Sequence, residues 1–334
     1  MSAGDWAVEP LAAYLKQVLP GCSGLPQVER ISGGQSNPTY FVTFPERRLV
    51  LRKQPPGILL PSAHAIDREY RVLRALDGTG VPVPEALLYC EDRAIIGTPF
   101  YLMERLEGRV FHDCTLPGVP AAQRHAMYIS VAEALAALHA VNPQAVDLGD
   151  FGRPGDYFAR QVSRWARQWQ ENRTREDAAM DRLIEWLPRH IPAGEEQSIV
   201  HGDFRIGNMM FHPTEPRVVA ILDWELATLG HPLADLAHFS MAYVTAPDEY
   251  GGLLGLDLKR LGLPDQEQFE QAYRQASRHG LGLQPFHMAF ALFRWAAIFE
   301  GIAYRAQSGT ANAENAAEIG RLSAVFAQRA VDYL

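Results

Sequence analysis

The stretch IVHGDFRIGNMMFHPTEPRVVAILDWE, residues 199–225, contains the pattern that decides the fold class. Within it, Asp203, Asn208 and Asp223 stand between runs of Ile, Val, Met and Leu. Polar groups placed among apolar side chains cost free energy unless a partner satisfies them. Their position therefore requires a chemical reason.

The spacing of these three residues suggests that reason. Met209 to His212 and Val218 to Leu222 are predicted to be short strands joined by the turn PTEPR, so Asn208 and Asp223 fall at adjacent ends of one hairpin. Asp203 precedes Asn208 by five residues. This interval is typical of a phosphotransferase catalytic loop, where the Asp orients the attacking hydroxyl and the Asn ligates Mg²⁺.

The residues before this stretch predict a small mixed lobe over 1–106. Trp6 to Leu19 has a helical spacing of apolar residues and ends at Pro20-Gly21. From Val28 to Lys53, short β-prone runs alternate with Gly-rich or charged turns, which is typical of an antiparallel meander. Residues 65–76 then form a helical pattern, and the runs GTGVPVPEALLYC and GTPFYLMERL predict two more strands.

Residues 107–334 predict a larger and mostly helical lobe. The helical patterns cover Ala121–His139, Tyr157–Glu171, Asp177–Pro188, Leu233–Ala246, Gln266–Arg278, Phe286–Arg305 and Glu314–Leu334. The biased run 308–317 predicts a mobile loop or a frayed helix start, which could act as a lid. The fold class is therefore α+β, with a small antiparallel β lobe that carries one helix and a larger helical lobe.

The composition of the chain limits the classes of molecule that it could bind. The chain has 334 residues and a formal net charge of −8, which disfavours nucleic acid or an anionic membrane as partner. Its three cysteines form no C-x-x-C pair, and no signal or membrane-span pattern is evident. We expect reduced thiols and a cytoplasmic location; the oligomeric state stays open.

Several motifs together resemble one family. VHGDFRIGN followed by AILDWELATLGHPLADLA resembles the signature H-G-D-x-x-x-x-N and I-x-D-x-W-E-x-x-x-x-G-x-x-x-x-D of the aminoglycoside phosphotransferase and choline kinase superfamily. ISGGQSNPTYFV, LVLRKQPPG and LLPSAHAIDREYRVLRAL resemble the branch found beside acyl-CoA dehydrogenase domains. The likeness covers most of the first 240 residues and is looser beyond them. It implies a protein-kinase-like fold that binds ATP and Mg²⁺ in a cleft and phosphorylates a hydroxyl.

The resemblance also implies roles in the larger lobe. Asp203 matches the catalytic carboxylate, and Asn208 and Asp223 match the two metal ligands. His201 resembles the loop histidine that braces the backbone. Asp235 resembles an acid that supports the loop without reacting.

In the small lobe, the resemblance implies a nucleotide site. The run 32–37 resembles the hairpin loop that covers the phosphates, and Met103 to Leu106 resembles the hinge that reads adenine. Small residues in such a loop let backbone N–H groups approach phosphate oxygens. The implied contacts are Gly33, Gly34, Ser36, Asn37, Glu104 and Leu106.

A cation and an acid complete this implied site. Arg52 occupies the strand position where protein kinases keep a phosphate-binding lysine, which is a departure from the pattern because a guanidinium cannot copy a compact ammonium. Lys53 ranks second, since strand alternation points it to the opposite face. Glu69 resembles the acid that holds the cation. Without the wider pattern, Arg52 could be an edge-strand charge and Glu69 a solvated helix residue.

Three other functions stay open. The arginine at position 52 allows a kinase-fold binding module that has lost catalysis. An aminoglycoside or choline-type kinase is a second alternative. A zinc hydrolase is a third, because the second half of the chain is rich in histidine and His with Asp is a common zinc-binding set; the candidate ligands are His212, His231, His238 and His287. The chain lacks G-x-x-x-x-G-K-[ST], which disfavours a P-loop enzyme.

The resemblance implies a hydroxyacyl-CoA or related hydroxy acid as acceptor; the sequence leaves open whether GTP replaces ATP as the donor. An aminoglycoside is a polycation and would favour an acidic pocket, yet no dense acidic run lies near the loop. A CoA ester would favour basic residues. The candidates are Arg153, Arg160, Arg164 and Arg167.

Overall fold

The structure is a computed structural model that describes residues 6–31, 37–57, 65–153, 155–194, 196–308 and 316–334. The chain divides into two compact units. The first comprises Met1–Gly108 with Val219–Ala227, and the second comprises Arg109–Val218 with Thr228–Leu334.

The first unit is built on a five-stranded antiparallel sheet with the order β1-β2-β3-β5-β4. This sheet confirms the predicted meander and the two strands after it. The elements are α1 (Val8–Val18), β1 (Gln27–Arg30), β2 (Thr39–Thr43), β3 (Arg48–Lys53), α2 (Ile66–Leu76), β4 (Ala86–Cys90), α3 (Arg93–Ile96) and β5 (Phe100–Glu104).

Strand β3 positions the charged residues of this unit. It lies between β2 and β5, so its backbone is paired on both sides, and Leu49 and Leu51 are buried in the core. Successive side chains of a strand point to opposite faces. Accordingly, Arg52 reaches Glu69 of α2, whereas the Nζ of buried Lys53 lies 5.9 Å from the ring centre of Trp6.

The second unit is mostly helical. Its elements are β6 (Arg109–Val110), α4 (Ala121–Ala140), α5 (Tyr157–Asn172), α6 (Ala178–Trp186), β7 (Ser198–Val200), β8 (Met209–Phe211), β10 (Thr228–Gly230), α7 (Leu233–Val244), α8 (Leu258–Leu261), α9 (Gln266–Ala276), α10 (Pro285–Gln307) and α11 (Ala316–Val331). Strand β9 (Val218–Ile221) begins in this unit and continues into the segment 219–227 of the first unit. Of the run 308–317, predicted to be a mobile loop or a frayed helix start, residues 309–315 lie outside the described part.

The boundary differs from the predicted one in one respect. The chain leaves the first unit after Gly108, close to the predicted end at residue 106, but the segment 219–227 also belongs to that unit. Ile221 N–H donates to Pro82 O at 2.8 Å, and Trp224–Leu226 packs against α2. Long-range packing of this kind leaves no local sequence signal, which explains why the prediction assigned the segment to the larger lobe.

Helix α10 is the central helix of the second unit. Its residues are buried on nearly every side, against α5, α7 and α11, which is the expected position for a helix that is apolar all round. The aromatic side chains of Trp165, Trp169 and Phe293 lie in this core. By length and composition α10 could cross a membrane, but 78% of its most apolar window is buried inside the protein, as in the core helix of a folded domain.

Burial of His287 in α10 predicts a pH-dependent stability. Burial, helped by nearby His231, lowers the pKa of His287 to about 4 from 6.5. Between pH 6.5 and pH 4, His287 binds a proton in the unfolded chain but not in the folded chain. The contribution of His287 to the free energy of unfolding is therefore complete above pH 6.5 and is lost as the pH drops toward 4. When the pH falls to 4.5, we expect the native protein to lose about 2 kcal/mol more of its free energy of unfolding than His287→Gln, measured by urea unfolding. Parallel pH curves for the two proteins would contradict this.

Candidate active site

The loop 201–208 lies between β7 and β8 and is held by Asp235 from α7. Its buried carboxylate accepts hydrogen bonds from His201 N–H at 2.6 Å and from Gly202 N–H at 2.9 Å. Burial alone would raise the pKa of Asp235, but His139 and these hydrogen bonds keep it below its usual value. An ionised Asp235 therefore braces the start of the loop. Arg294 of α10 adds a hydrogen bond to Gly202 O at 2.8 Å.

Replacing Asp235 should destabilise the second unit. Asp235→Ala leaves the two buried loop N–H groups without their acceptor, and unsatisfied buried donors cost about 1–3 kcal/mol each. We expect a loss of at least about 2 kcal/mol in the free energy of unfolding, measured with urea. The control is Asp265→Ala, which removes an exposed helix cap and should cost about 1 kcal/mol. Equal losses in the two variants would contradict the bracing role.

Asp203 is held by three donors. His238 Nε2 lies 3.2 Å from its Oδ1, while Arg205 Nε at 3.1 Å and Asn208 Nδ2 at 2.8 Å donate to its Oδ2. Burial alone would raise the pKa of Asp203, but His238 and Arg205 lower it overall. The loop backbone is fixed as well, because Asp203 N–H donates to His201 Nδ1 at 3.2 Å. Asp203 is therefore an ionised carboxylate in a fixed orientation.

The amide of Asn208 is oriented by the same loop. Its nitrogen donates to the Asp203 backbone carbonyl and to the Asp203 carboxylate, each at 2.8 Å. This leaves the side-chain oxygen as the amide atom that could bind a cation. Mg²⁺ takes oxygen ligands of this kind.

The first unit holds a second charged cluster, centred on Arg52. Its Nε lies 2.8 Å from Glu69 Oε2, and its Nη2 donates to Asp223 Oδ1 at 2.8 Å. Burial alone would lower the pKa of Arg52, but Glu69 and Asp223 raise it overall, so the guanidinium stays charged. Arg52 is thus on an interior strand and paired, not an ordinary charge on an edge strand.

Glu69 is 1% exposed, which excludes a solvated helix position. Its carboxylate accepts hydrogen bonds from Asn37 Nδ2 at 2.6 Å and Tyr101 Oη at 3.0 Å. Burial raises the pKa of Glu69 to about 7 against the opposing charge of Arg52. Asn37 was predicted to contact phosphate. Its side-chain amide is buried and needs a hydrogen-bond partner, and its nitrogen donates to Glu69.

Asp223 adopts an unusual backbone conformation. Its φ is 64° and its ψ is 66°, in the left-handed region that residues other than Gly enter rarely, although Asp and Asn tolerate it best. The conformation ends β9 and turns the chain into Trp224–Leu226. Asp223 thereby reaches Arg52, and its side chain is 34% exposed.

The other predicted nucleotide contacts are only partly described. Gly33, Gly34 and Ser36 lie outside the described residues. Glu104 ends β5, and its N–H donates to Glu85 O at 2.9 Å, so this group is unavailable to adenine. Leu106 follows two residues after the strand.

A cavity beside the loop 201–208 lies wholly within the second unit. Arg205 and His112 contribute basic groups to its lining, and Met241, Trp295 and Tyr250 form apolar and aromatic walls. His238, which contacts Asp203, lines the same cavity. Among the lining residues that the structure describes there is no Asp or Glu.

Sequence reasoning missed the supporting residues His238, Arg205 and Arg294. One signal for His238 was present: it lies one helical turn after Asp235, on the same face of α7. Of the histidines proposed for zinc, His231 and His287 stack with ring centres 5.8 Å apart, but the described residues contain no group of three His, Cys, Asp or Glu side chains that could hold a metal.

The chain belongs to the phosphotransferase enzyme family, whose model matches residues 27–276. Together with the antiparallel sheet and the helical unit, this confirms the predicted family and α+β fold.

The chain is also similar to individual proteins of known sequence or structure. The chain is 43% identical over 97% of its length to mouse acyl-CoA dehydrogenase family member 10, of which it spans 31%. A solved protein from Ralstonia eutropha, described as a candidate aminoglycoside phosphotransferase, is 43% identical, with a TM-score of 0.90 and 98% of each chain covered. Choline kinase from Cryptosporidium parvum is 12% identical with a TM-score of 0.65, over 98% of this chain and 95% of its own, and shares the fold alone.

Proposed function

We propose that the protein transfers the γ-phosphoryl group of ATP to a hydroxyl of a small molecule, with Mg²⁺. The observation that carries the proposal is Asp203, an ionised carboxylate that three donors orient within the part of the chain that the family model matches. A fixed carboxylate beside a hydroxyl can orient the attacking oxygen and accept its proton.

In the proposed reaction, the acceptor oxygen forms a bond to the γ-phosphorus as the bond from phosphorus to the ADP oxygen breaks. Asp203 accepts the hydroxyl proton, and Arg52 binds the phosphate oxygens. Asn208 and Asp223 would hold Mg²⁺, and their amide and carboxylate oxygens fit that cation. When bound, the metal neutralises charge on the β- and γ-phosphates. His201 and Asp235 keep the loop in place.

We further propose a hydroxyacyl-CoA or related hydroxy acid as the acceptor. A cavity with a guanidinium and apolar walls suits an acid or acyl group better than a polycation, which would require carboxylates. The name of the mouse relative, an acyl-CoA dehydrogenase family member, also favours an acyl substrate. The predicted CoA contact Arg160 is less favoured, since it donates to Gly155 O and Arg153 O.

The test is acceptor-dependent release of ADP in the presence of Mg²⁺. Native protein is compared with Asp203→Ala on short hydroxyacyl-CoA thioesters, free hydroxy acids, choline and one aminoglycoside. The proposal predicts turnover with a thioester or hydroxy acid that is lost in the variant. Turnover with the aminoglycoside or choline alone would overturn the acceptor class. Nucleotide binding without turnover on any member would favour a binding module.

A further inference from the structure

Tyr250 has a backbone conformation that its residue type disfavours. Its φ is 76°, and for a bulky side chain this left-handed region is a genuine outlier. The turn that imposes it is closed by hydrogen bonds from Gly251 N–H to Pro247 O and from Gly252 N–H to Ala246 O, each at 3.0 Å. Glycine would adopt this conformation without strain. A tyrosine here therefore requires a reason in its side chain.

The surrounding structure holds Tyr250 in this conformation. The preceding residue, Glu249, accepts a hydrogen bond from Ala246 N–H at 2.9 Å and pairs with Arg329 of α11. The ring of Tyr250 packs on Trp295, with ring centres 4.7 Å apart, and on Phe299 at 5.3 Å. Residues in sparsely populated conformations persist only where neighbours enforce them, and they cluster at functional sites.

A continuous set of contacts connects Tyr250 to the catalytic carboxylate. The ring of Trp295 lies 5.6 Å from that of His238, and His238 Nε2 lies 3.2 Å from Asp203 Oδ1. Tyr250 lines the same cavity as Arg205 and His238, yet it is 47% exposed. Tyr250 is therefore partly exposed in a cavity that His238, a contact of Asp203, also lines.

We propose that Tyr250 determines acceptor specificity, with its ring packing against the apolar part of the acceptor whose hydroxyl meets Asp203. This inference rests on the proposed phosphotransfer and deepens it. Arg205 supplies a cation in the same cavity, so the acceptor carries an apolar segment near an acidic or carbonyl group. The strained turn is retained because it presents the ring to that segment.

The test measures the KM for the acceptor and for ATP in position-250 variants, using the best hydroxy acid or CoA thioester of the panel. Tyr250→Gly and Tyr250→Ala should each raise the acceptor KM about tenfold, the effect of a lost aromatic contact, and leave the ATP KM within about twofold. Tyr250→Phe keeps the ring, so its acceptor KM should be at least about fivefold lower than that of Tyr250→Gly or Tyr250→Ala. Tyr250→Gly should unfold at a higher temperature than Tyr250→Ala, because glycine relieves the strain.

The control is Leu254→Ala, at a residue that is 41% exposed in the same loop and does not line the cavity; its acceptor KM should match the native value. A native acceptor KM in Tyr250→Gly would overturn this inference and leave the phosphotransfer intact. Equal losses toward ATP and the acceptor would also overturn it, because they indicate a structural role. No acceptor-dependent turnover by the native protein would overturn the proposed function and this inference with it.

Discussion

Asp203→Asn should lower acceptor-dependent turnover by at least about 10²-fold, the scale of a lost general base. The amide keeps the size of the side chain but removes the charge that His238, Arg205 and Asn208 orient. It can neither accept the hydroxyl proton nor hold the attacking oxygen as strongly. The measurement is kcat with saturating nucleotide and acceptor.

Asp181→Asn is the matched control, since Asp181 is an exposed carboxylate on α6. Its turnover should equal that of the native protein. Nucleotide affinity should change little in Asp203→Asn, because the proposed phosphate contacts come from Arg52. Turnover near the native rate in Asp203→Asn would remove Asp203 from the chemistry.

Arg52→Met should damage both stability and nucleotide use. The substitution leaves the carboxylate of Glu69 buried beside Asp223 without its cation, and breaking a buried ion pair costs about 3 kcal/mol. The variant also loses the proposed phosphate contact, so kcat/KM for ATP should fall about 10²-fold. Arg52→Lys should recover part of both losses, since it restores a charge without the planar geometry.

Arg48→Met is the control for this prediction. Arg48 lies on the same strand and pairs with Glu107, but both side chains are more than half exposed, at 55% and 57%. Exposed pairs contribute about 0–1 kcal/mol, so this variant should keep nearly native stability and activity. If the two methionine variants lose stability equally, the pairing of Arg52 is not the cause.

The sequence predicted the features that depend on local patterns. The apolar face of α2, the alternation along β3 and the opposite orientations of Arg52 and Lys53 follow from periods of 3.6 and 2. The five-residue interval from Asp203 to Asn208 is equally local, because one loop contains both residues. Such signals need only neighbouring residues, and they identified the fold class and the candidate catalytic loop.

Features that depend on distant contacts were missed. The hydrogen bond from Asn37 to Glu69 joins residues that are 32 positions apart in the sequence, and the hydrogen bond from Arg294 to Gly202 joins residues that are 92 positions apart. The strain at Tyr250 results from a turn whose hydrogen bonds no composition rule predicts. The sequence therefore identified the candidate loop and its support Asp235, but not the side chains of His238 and Arg205 that orient Asp203.

The most direct test of phosphoryl transfer is mass spectrometry of the acceptor after incubation with ATP, Mg²⁺ and the native protein, beside Asp203→Asn. The proposal predicts a phosphate monoester on the hydroxyl of a hydroxy acid or its CoA thioester, formed with one ADP per product and lost in the variant. Formation of ADP and inorganic phosphate with every acceptor left unmodified would contradict it.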